Sequence, residues 1–415
     1  MHDYYPRFAE ELVRDAIADT PVVLIHGSRQ SGKTTLAKKI GNPLGYYYVS
    51  FDDANQLNAA KADPVGYIRA LPKYCILDEV QRVPELFTAI KANVDTNRVA
   101  GRFILTGSAN VLLLPTLSDS LAGRMEIIHL RPLSQAEIAG HTSHTIFETF
   151  IDGITTASFP PARLRHVGSE LSHVINAGGY PPALLRTNSK RRAVWYRDYI
   201  STIIQRDVRD ISAIQNLAVL PRLLKVAAGQ SARLFNASEL AAPFALSRPT
   251  ISSYLSLLEQ LFIIEQLEPW HNNRLLRAVK TPKLHFLDTG LVCSLLGLDS
   301  EALYRDRTVW GQLLETFVLQ ELRKHADKYD PSMKFFHFRN KDKVEVDIVV
   351  ECGAEIFGFE VKSSSTVTIQ DFKGLKKLQQ SGSDTFRIGV VFYDGDAVLP
   401  FGEQLYAVPI SVLLG

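Results

Sequence analysis

The chain has 415 residues, of which 46% are hydrophobic and 22% are charged, and its formal net charge at pH 7 is +2. These ordinary values exclude a disordered, collagen-like or globally basic protein, so any contact with nucleic acid must come from local patches. Three widely spaced cysteines and the lack of an apolar run of roughly 20 residues predict a cytoplasmic protein without disulfides or membrane spans.

The first third of the chain alternates short β-rich runs with helix-length stretches, which predicts a parallel αβα sheet. The runs, in chain order, are PVVLI, YYYVSF, YCILDE, RFILTG and MEIIHL. Helical stretches then dominate to about residue 214, three further helices and a hairpin follow, and the last hundred residues form another α/β pattern. The expected domains are a parallel α/β core (1–133), a helical lid or connector (134–215), a winged helix (216–285) and a C-terminal α/β domain (286–415).

A phosphate-binding motif lies directly after the first apolar run. Gly27-Ser-Arg-Gln-Ser-Gly-Lys-Thr34 matches G-x-x-x-x-G-K-[ST] and precedes a helical stretch. Its backbone N–H groups and Lys33 are expected to bind the phosphates of ATP, and Thr34 to ligate Mg²⁺. The predicted nucleotide-binding residues are Gly27, Ser28, Arg29, Gln30, Ser31, Gly32, Lys33, Thr34 and Thr35.

Carboxylates for metal binding and water activation follow at the end of the third run. Asp78 is expected to hold Mg²⁺ and Glu79 to act as the general base. After the fourth run, Asn110 or Ser108 is placed to contact the γ-phosphate, although this composition is also that of an ordinary loop.

Arg124 precedes the fifth run, where a charge has no role in the core. It is a candidate arginine finger that reaches the nucleotide of a neighbouring subunit. The alternative is a solvated or locally paired arginine.

A C-terminal hairpin brings charged residues together. If Gly353-Ala354 is its two-residue turn, the residue numbers of each cross-strand pair add up to 707. In this register Val346, Ile348 and Val350 lie on one apolar face. On the other face Asp347 opposes Glu360.

Two like charges at this distance repel each other unless a cation lies between them, and Asp347, Glu360 and Lys362 match the nuclease motif PD-(D/E)XK. Asp347 and Glu360 would bind the metal, Lys362 would assist catalysis, and Glu315 on the preceding helix could complete the metal shell. The alternative is a solvated charge ladder in which Lys362 pairs with Glu345.

Nucleic-acid contacts are expected in the winged-helix region. Ser247 would cap a recognition helix that starts at Arg248 and exposes Thr250, Ser253 and Tyr254. The predicted contact residues are Arg248, Arg274, Arg277 and Lys280, and the arginine-rich stretch 186–209 could follow a nucleic-acid backbone. Such a module can also serve protein contacts alone.

The chain as a whole resembles a family of prokaryotic AAA+ ATPases with a winged helix and a C-terminal restriction-endonuclease-like domain of unknown function. The segments that carry this resemblance include GSRQSGKTT, LDEVQRVP, LTGSAN, LAGRMEIIHLRPLSQAE, GGYPPALL, TPKLHFLDTGL and EVDIVVE with FEVK. The resemblance implies an α/β fold with a P-loop AAA+ parallel sheet, a helical lid, a winged helix and a PD-(D/E)XK-like domain. It also implies that the residues that bind and hydrolyse ATP are Lys33, Thr34, Asp78 and Glu79, and that Arg124 acts between subunits.

The resulting hypothesis is a Mg²⁺-dependent ATPase, assembled as a homo-oligomeric ring such as a hexamer, that binds, remodels or cleaves duplex or branched DNA. A second hypothesis is a nucleotide-gated regulatory switch whose endonuclease-like domain only binds a partner. A third, a protein remodeller, has no pore-loop aromatic residue or substrate motif to support it.

Overall fold

The predicted αβ alternation forms a five-stranded parallel sheet. In the computed structural model, which describes residues 4–108, 121–208, 217–244, 246–271, 281–382 and 384–415, its strand order is β2-β3-β4-β1-β5. The strands are β1 (Val22–His26), β2 (Tyr47–Ser50), β3 (Cys75–Asp78), β4 (Phe103–Gly107) and β5 (Met125–His129). The flanking helices are α1 (Ala9–Asp19), α2 (Lys33–Gly41), α3 (Ala54–Ala62), α4 (Pro64–Ala70) and α5 (Leu86–Thr96). Both sheet faces are apolar and buried, as parallel sheets require.

These elements belong to the first of two compact units, here called the P-loop unit, which contains residues 6–132 and 260–262. The second unit contains the rest of the described chain.

The second unit begins with a helical region, as expected from the sequence. Its helices are α6 (Gln135–Ile138), α7 (Ile146–Asp152), α8 (Glu170–Ala177), α9 (Pro181–Leu184) and α10 (Ser189–Thr202). Next come α11 (Leu220–Ala228), β6 (Arg233–Leu234), α12 (Ala237–Ala241), α13 (Arg248–Gln260), β7 (Ile264–Leu267) and β8 (Lys283–Phe286). The three strands form an antiparallel sheet with β8 in the centre.

A six-stranded mixed sheet completes the second unit, in the order β13-β14-β12-β11-β10-β9. Its strands are β9 (Lys334–Arg339), β10 (Glu345–Cys352), β11 (Glu355–Val361), β12 (Phe386–Tyr393), β13 (Leu399–Gly402) and β14 (Leu405–Pro409). The helices are α14 (Thr289–Leu296), α15 (Ser300–Arg305), the long α16 (Arg307–Tyr329) and α17 (Lys373–Ser381). No helix within the described ranges is both long and apolar enough to cross a membrane.

Candidate functional site

The phosphate-binding motif forms the loop between β1 and α2. A Cβ atom on Gly27 would clash with the carbonyl oxygen of Leu130, so only glycine fits there. Gly32 has a φ of 103° and precedes the first turn of α2. Because Gly32 has no side chain to cap this turn, the N–H groups at the start of α2 are available to an anion.

Polar atoms around this loop fit a phosphate group. Lys33 is buried, and its Nζ donates hydrogen bonds to the carbonyl oxygens of Gly27 (3.0 Å) and Ser28 (2.8 Å). The Oγ atoms of Ser28 and Ser31 are buried and have no hydrogen-bond partner among the described residues. Buried hydroxyls without a partner are costly, and phosphate oxygens would satisfy them.

The other predicted loop residues contribute less from their side chains. Gln30 and Thr35 are exposed and Arg29 is half-buried. Gln30 has a φ of 60°, so its backbone turns the loop.

Arg7 stabilises the phosphate-binding loop through a hydrogen bond to the loop's backbone. It is buried, and its guanidinium donates hydrogen bonds to the carbonyl oxygens of Ser31 (2.8 Å) and Arg131 (2.6 Å). These bonds hold the end of the phosphate-binding loop against the edge of the sheet.

Asp78 lies at the carboxyl end of β3 and is buried among hydroxyl groups. Its Oδ1 accepts hydrogen bonds from Thr34 Oγ1 (2.8 Å) and Thr106 Oγ1, and its Oδ2 accepts one from Tyr48 (2.7 Å). Burial and this bond raise the pKa of Tyr48 to about 12, so Tyr48 remains a donor to the carboxylate. Because the Thr34 hydroxyl and the Asp78 carboxylate are adjacent oxygen ligands, the pair fits Mg²⁺.

Glu79 is held next to this pair. Its Oε2 accepts hydrogen bonds from Ser108 Oγ (3.0 Å) and Gln81 Nε2, and Gln81 also donates to Ser108 (3.1 Å). Ser108 therefore positions the predicted base. Asn110, the other candidate, lies outside the described residues.

Arg124 and the phosphate-binding loop lie at opposite ends of the strands: Arg124 lies at the amino end of β5, and the loop lies at the carboxyl end of β1. Arg124 precedes β5, whose first residue pairs with Val22 at the start of β1, whereas the loop follows the end of β1. Its guanidinium pairs with Asp95. A role in its own nucleotide site is thus excluded by geometry, and its role in a neighbouring subunit remains a prediction.

The predicted hairpin register is confirmed in the C-terminal sheet. Ile348 pairs with Phe359 and Cys352 with Glu355, around a turn in which Gly353 has a φ of 59°. The prediction that Val346 shares a face with Ile348 is wrong. An irregularity between Val346 and Val349 in the pairing with β9 shifts the register, and Val346 packs in one cluster with Val349.

The predicted endonuclease-like carboxylates surround a lysine that sequence reasoning missed. Lys283, at the start of β8, places its Nζ 2.7 Å from Glu315 Oε1 and 3.4 Å from Asp347 Oδ1. The other oxygen of Asp347 accepts a hydrogen bond from Val361 N (3.0 Å). In the described parts of the chain, no group of three or more His, Cys, Asp or Glu residues is arranged to hold a metal ion.

Burial dominates the electrostatics of this acidic site. It raises the pKa of Glu315 to about 8, and the charge of Asp347 adds to this effect. Burial and Asp347 also raise the pKa of Glu360 well above its usual range. For Asp347 itself, burial is outweighed only by several groups together: the charges of Lys283 and Lys362 and the hydrogen bonds from Glu360 and Val361 N lower its pKa. Asp347 thus favours the ionised form while the neighbouring carboxyl groups of Glu315 and Glu360 favour protonation.

Lys362 lies at the rim of the site. It is half-buried, with its Nζ 3.8 Å from Glu360 Oε2, and Glu345 pairs instead with Arg339 (2.8 Å). The alternative prediction, in which Lys362 forms an ion pair with Glu345, is therefore wrong. Helix α17 approaches here so closely that a Cβ atom on Gly374 would lie 2.8 Å from Glu360 Oε1.

The predicted nucleic-acid residues are only partly described. Arg248 is exposed at the start of α13, where Ser247 Oγ accepts the capping hydrogen bond from Thr250 N (3.3 Å), as expected. Tyr254 is buried, so its predicted exposure is wrong, because it lies on the packed face of α13 beside Leu255 and Leu258. Arg274, Arg277 and Lys280 lie outside the described residues.

Sequence reasoning missed Arg7, Tyr48, Gln81, Thr106 and Lys283 as site residues. Gln81 and Thr106 lie in the quoted segments LDEVQRVP and LTGSAN, so proximity to the predicted carboxylates was an available signal. Arg7, Tyr48 and Lys283 are distant in sequence from their partners and have no local pattern.

Known families match three consecutive parts of the chain. Residues 19–139 match a family described as an AAA domain. Residues 168–302 and 310–413 match two domains of unknown function, DUF8612 and DUF4143. Together with the phosphate-binding loop, Asp78 and Glu79, these matches define the class of the protein as an AAA-domain P-loop ATPase.

Relatives extend over almost the full chain. An uncharacterized protein of Mycobacterium tuberculosis and one of Mycobacterium bovis are each 30% identical over 98% of this chain and 84% of their own length. An uncharacterized protein of Methanocaldococcus jannaschii is 22% identical over 79% of this chain and 72% of its own length. The chain belongs to the family of these mycobacterial proteins.

Solved structures give more distant matches. The Walker-type ATPase of Pyrococcus abyssi matches with 13% identity and a TM-score of 0.45, over 71% of this chain and 96% of that chain. The RuvB Holliday junction branch migration motor of Thermotoga maritima matches with 16% identity and a TM-score of 0.26, over 62% of this chain and 88% of that chain. Neither likeness is close enough to assign a function.

Proposed function

We propose that this protein is a Mg²⁺-dependent ATPase that couples ATP hydrolysis to the binding, remodelling or cleavage of duplex or branched DNA. The observation that carries the ATPase part is the hydrogen bond between Thr34 and Asp78 beside the phosphate-binding loop, with Glu79 next to it. Bound Mg²⁺ would neutralise charge on the phosphates. Lys33 binds phosphate oxygens, and Glu79 accepts the proton of the attacking water.

The middle of the second unit supports the nucleic-acid part of the proposal. The element order α11, β6, α12, α13, β7, β8, with β8 between β6 and β7, is the arrangement of a winged helix. In such a module α13 would be the recognition helix, with Arg248 exposed at its start.

A lysine-lined pocket independently supports the nucleic-acid part of the proposal. A pocket of about 350 Å³ is lined by Lys373, Lys376 and Lys377 of α17, together with Val344, Ile369, Gln370 and Gln380. Within the described ranges none of these three lysines makes an ion pair. A concave surface with three unpaired ammonium groups suits the phosphate backbone of DNA. This lysine pocket lies on the helix that packs against Glu360.

The second candidate function is the nucleotide-gated switch, in which the C-terminal domain binds a partner without cutting it. The ammonium group of Lys283 among the predicted metal ligands favours this candidate.

The experiment that tests the proposal measures ATP hydrolysis with and without duplex, single-stranded and branched DNA. We expect hydrolysis to be stimulated by DNA and to require Lys33, so Lys33→Ala should lose ATP affinity and turnover together. Hydrolysis that responds to none of the three DNAs, from a protein that binds none of them, would contradict the DNA part and leave the ATPase part intact.

The lysine pocket is tested by the salt dependence of DNA binding. Replacing Lys373, Lys376 and Lys377 by Gln should reduce the slope of log affinity against log salt by up to about 2.7 if each lysine contacts a phosphate. The matched control replaces Lys61, Lys73 and Lys91 of the P-loop unit by Gln, which removes the same charge elsewhere. Equal effects of the two triple variants would show that only net charge matters and that the pocket is not the contact.

A further inference from the structure

The endonuclease-like site does not match the metal centre that its motif implies. A divalent metal would need oxygen ligands from Asp347 and Glu360, with Glu315 as a third. Metal ions of this kind bind at about 2.0 to 2.6 Å from several oxygens at once. The described residues show no such group, and the space between Glu315 and Asp347 contains the ammonium of Lys283.

Lys283 reaches this position from a different part of the fold. It lies on β8, the central strand of the three-stranded sheet, and pairs with Leu234 of β6 and Leu267 of β7. Its side chain is 5% exposed. A lysine is rarely buried to this extent unless it is paired, so the carboxylates account for its position.

Both oxygens of Asp347 are engaged in this arrangement. Oδ1 faces the Lys283 ammonium at 3.4 Å, and Oδ2 accepts the hydrogen bond from Val361 N at 3.0 Å. Glu315 Oε1, at 2.7 Å from the ammonium, also has His285 Nε2 at 3.8 Å. A metal ion at this point would have to displace the ammonium, because two cations in a poorly hydrated site repel each other strongly.

We propose that Lys283 is the resident cation of the endonuclease-like site and excludes a divalent metal ion while β8 holds it between Glu315 and Asp347. The three-stranded sheet therefore controls access of metal to this site. Cleavage chemistry would require Lys283 to withdraw, whereas binding at the lysine pocket would not. This inference concerns the C-terminal site alone and does not depend on the ATPase or DNA-binding proposal.

The test measures Mn²⁺ binding to the full-length protein by calorimetry. The wild type and each Lys283 variant are compared with the same protein carrying Asp347→Asn, and the binding lost through that substitution is the Asp347-dependent binding. In the wild type we expect no Asp347-dependent Mn²⁺ site. Lys283→Met, which keeps the length of the side chain and removes its charge, should gain one such site, with affinity at least about tenfold higher than any in the wild type. Lys283→Arg, which keeps a cation, is the matched control and should gain none.

Two results would overturn the proposal. One is a wild-type protein that already binds Mn²⁺ through Asp347 as tightly as Lys283→Met does. The other is a folded Lys283→Met protein without any Asp347-dependent site.

Loss of the buried ion pair could also unfold the variant, so thermal melting is followed with and without Mn²⁺. If Lys283→Met folds only when Mn²⁺ is present, the metal replaces the ammonium and the proposal is supported. If it remains unfolded at saturating Mn²⁺, the metal does not take the place of Lys283 and the proposal fails.

Discussion

Glu79 shows how a single backbone conformation positions a candidate catalytic group. Its φ of 58° is a left-handed conformation that costs a residue other than glycine about 1 to 2 kcal/mol. The chain leaves β3 at this residue, and the carboxylate lies beside Ser108 at the end of β4. Such strain persists only where the surroundings enforce it, and here Gln81 and Ser108 both donate hydrogen bonds to the carboxylate.

Glu79→Gln should therefore separate ATP binding from hydrolysis. Because the amide cannot accept the proton of the attacking water, turnover should fall by about 10² or more while ATP affinity is retained. Nucleotide titration and steady-state phosphate release measure the two quantities. Glu85→Gln, the same change at an exposed residue of the next loop, should leave both at wild-type values. If Glu79→Gln hydrolyses ATP as fast as the wild type, Glu79 is not the base.

At the scale of elements, local patterns predict strands well and their arrangement poorly. The five strands of the P-loop sheet follow from apolar runs, but the insertion of β4 between β1 and β3 does not, and it is this insertion that brings Thr106 to Asp78. The hairpin register follows from the turn at Gly353. The irregularity near Asp347 does not, because it arises in the pairing with β9.

The same limit explains why Lys283 was missed. Its partners Glu315 and Asp347 are 32 and 64 positions away, on a helix and on a strand of another sheet. Nothing in the local sequence indicates that β8 would reach them. Contiguous motifs such as the phosphate-binding loop are recognised because sequence neighbours build the whole loop.

We expect the packing between α7 and α16 to make the second unit sensitive to acid. His325 of α16 is buried, and its Nδ1 accepts a hydrogen bond from Ile146 N (3.3 Å) at the start of α7. Burial, helped by Arg163 and Lys324, lowers the pKa of His325 to about 3. Since its pKa is about 6.5 in the unfolded chain, the unfolded state binds the proton more readily at acid pH.

The stability contributed by neutral His325 is present above pH 6.5 and lost as the pH falls toward about 3, by up to about 1.4 kcal/mol per pH unit. Thermal melting at pH 7.5 and pH 5.0 measures this loss. His325→Gln, whose amide oxygen can still accept from Ile146 N, should lose less stability between the two pH values than the wild type. His173→Gln, at an exposed histidine, is the control, and identical pH dependence in the two variants would contradict the prediction.

For the whole molecule, the position of Arg124 bears on assembly. Adjacent residues of a strand are about 3.3 Å apart. The length of β5 therefore separates Arg124 from the carboxyl ends of the strands, where the phosphate-binding loop lies. If Arg124 contributes to hydrolysis, it must do so in another copy of the chain. A ring of identical subunits repeats one contact, and Arg124 would reach the next nucleotide site if that contact included this end of the sheet.

Arg124→Ala should then lower turnover with little change in ATP affinity, by up to about 10³-fold if it is an arginine finger. The decisive measurement mixes Arg124→Ala with Glu79→Gln. A site that combines Glu79 of one subunit with Arg124 of the next is complete, so the mixture should regain activity that neither variant has alone. Arg98→Ala, which removes a neighbouring exposed arginine, is the control and should need no complementation. A protein that remains monomeric at every concentration while hydrolysing ATP at full rate would exclude both the ring and the finger, and would leave Arg124 as the surface partner of Asp95.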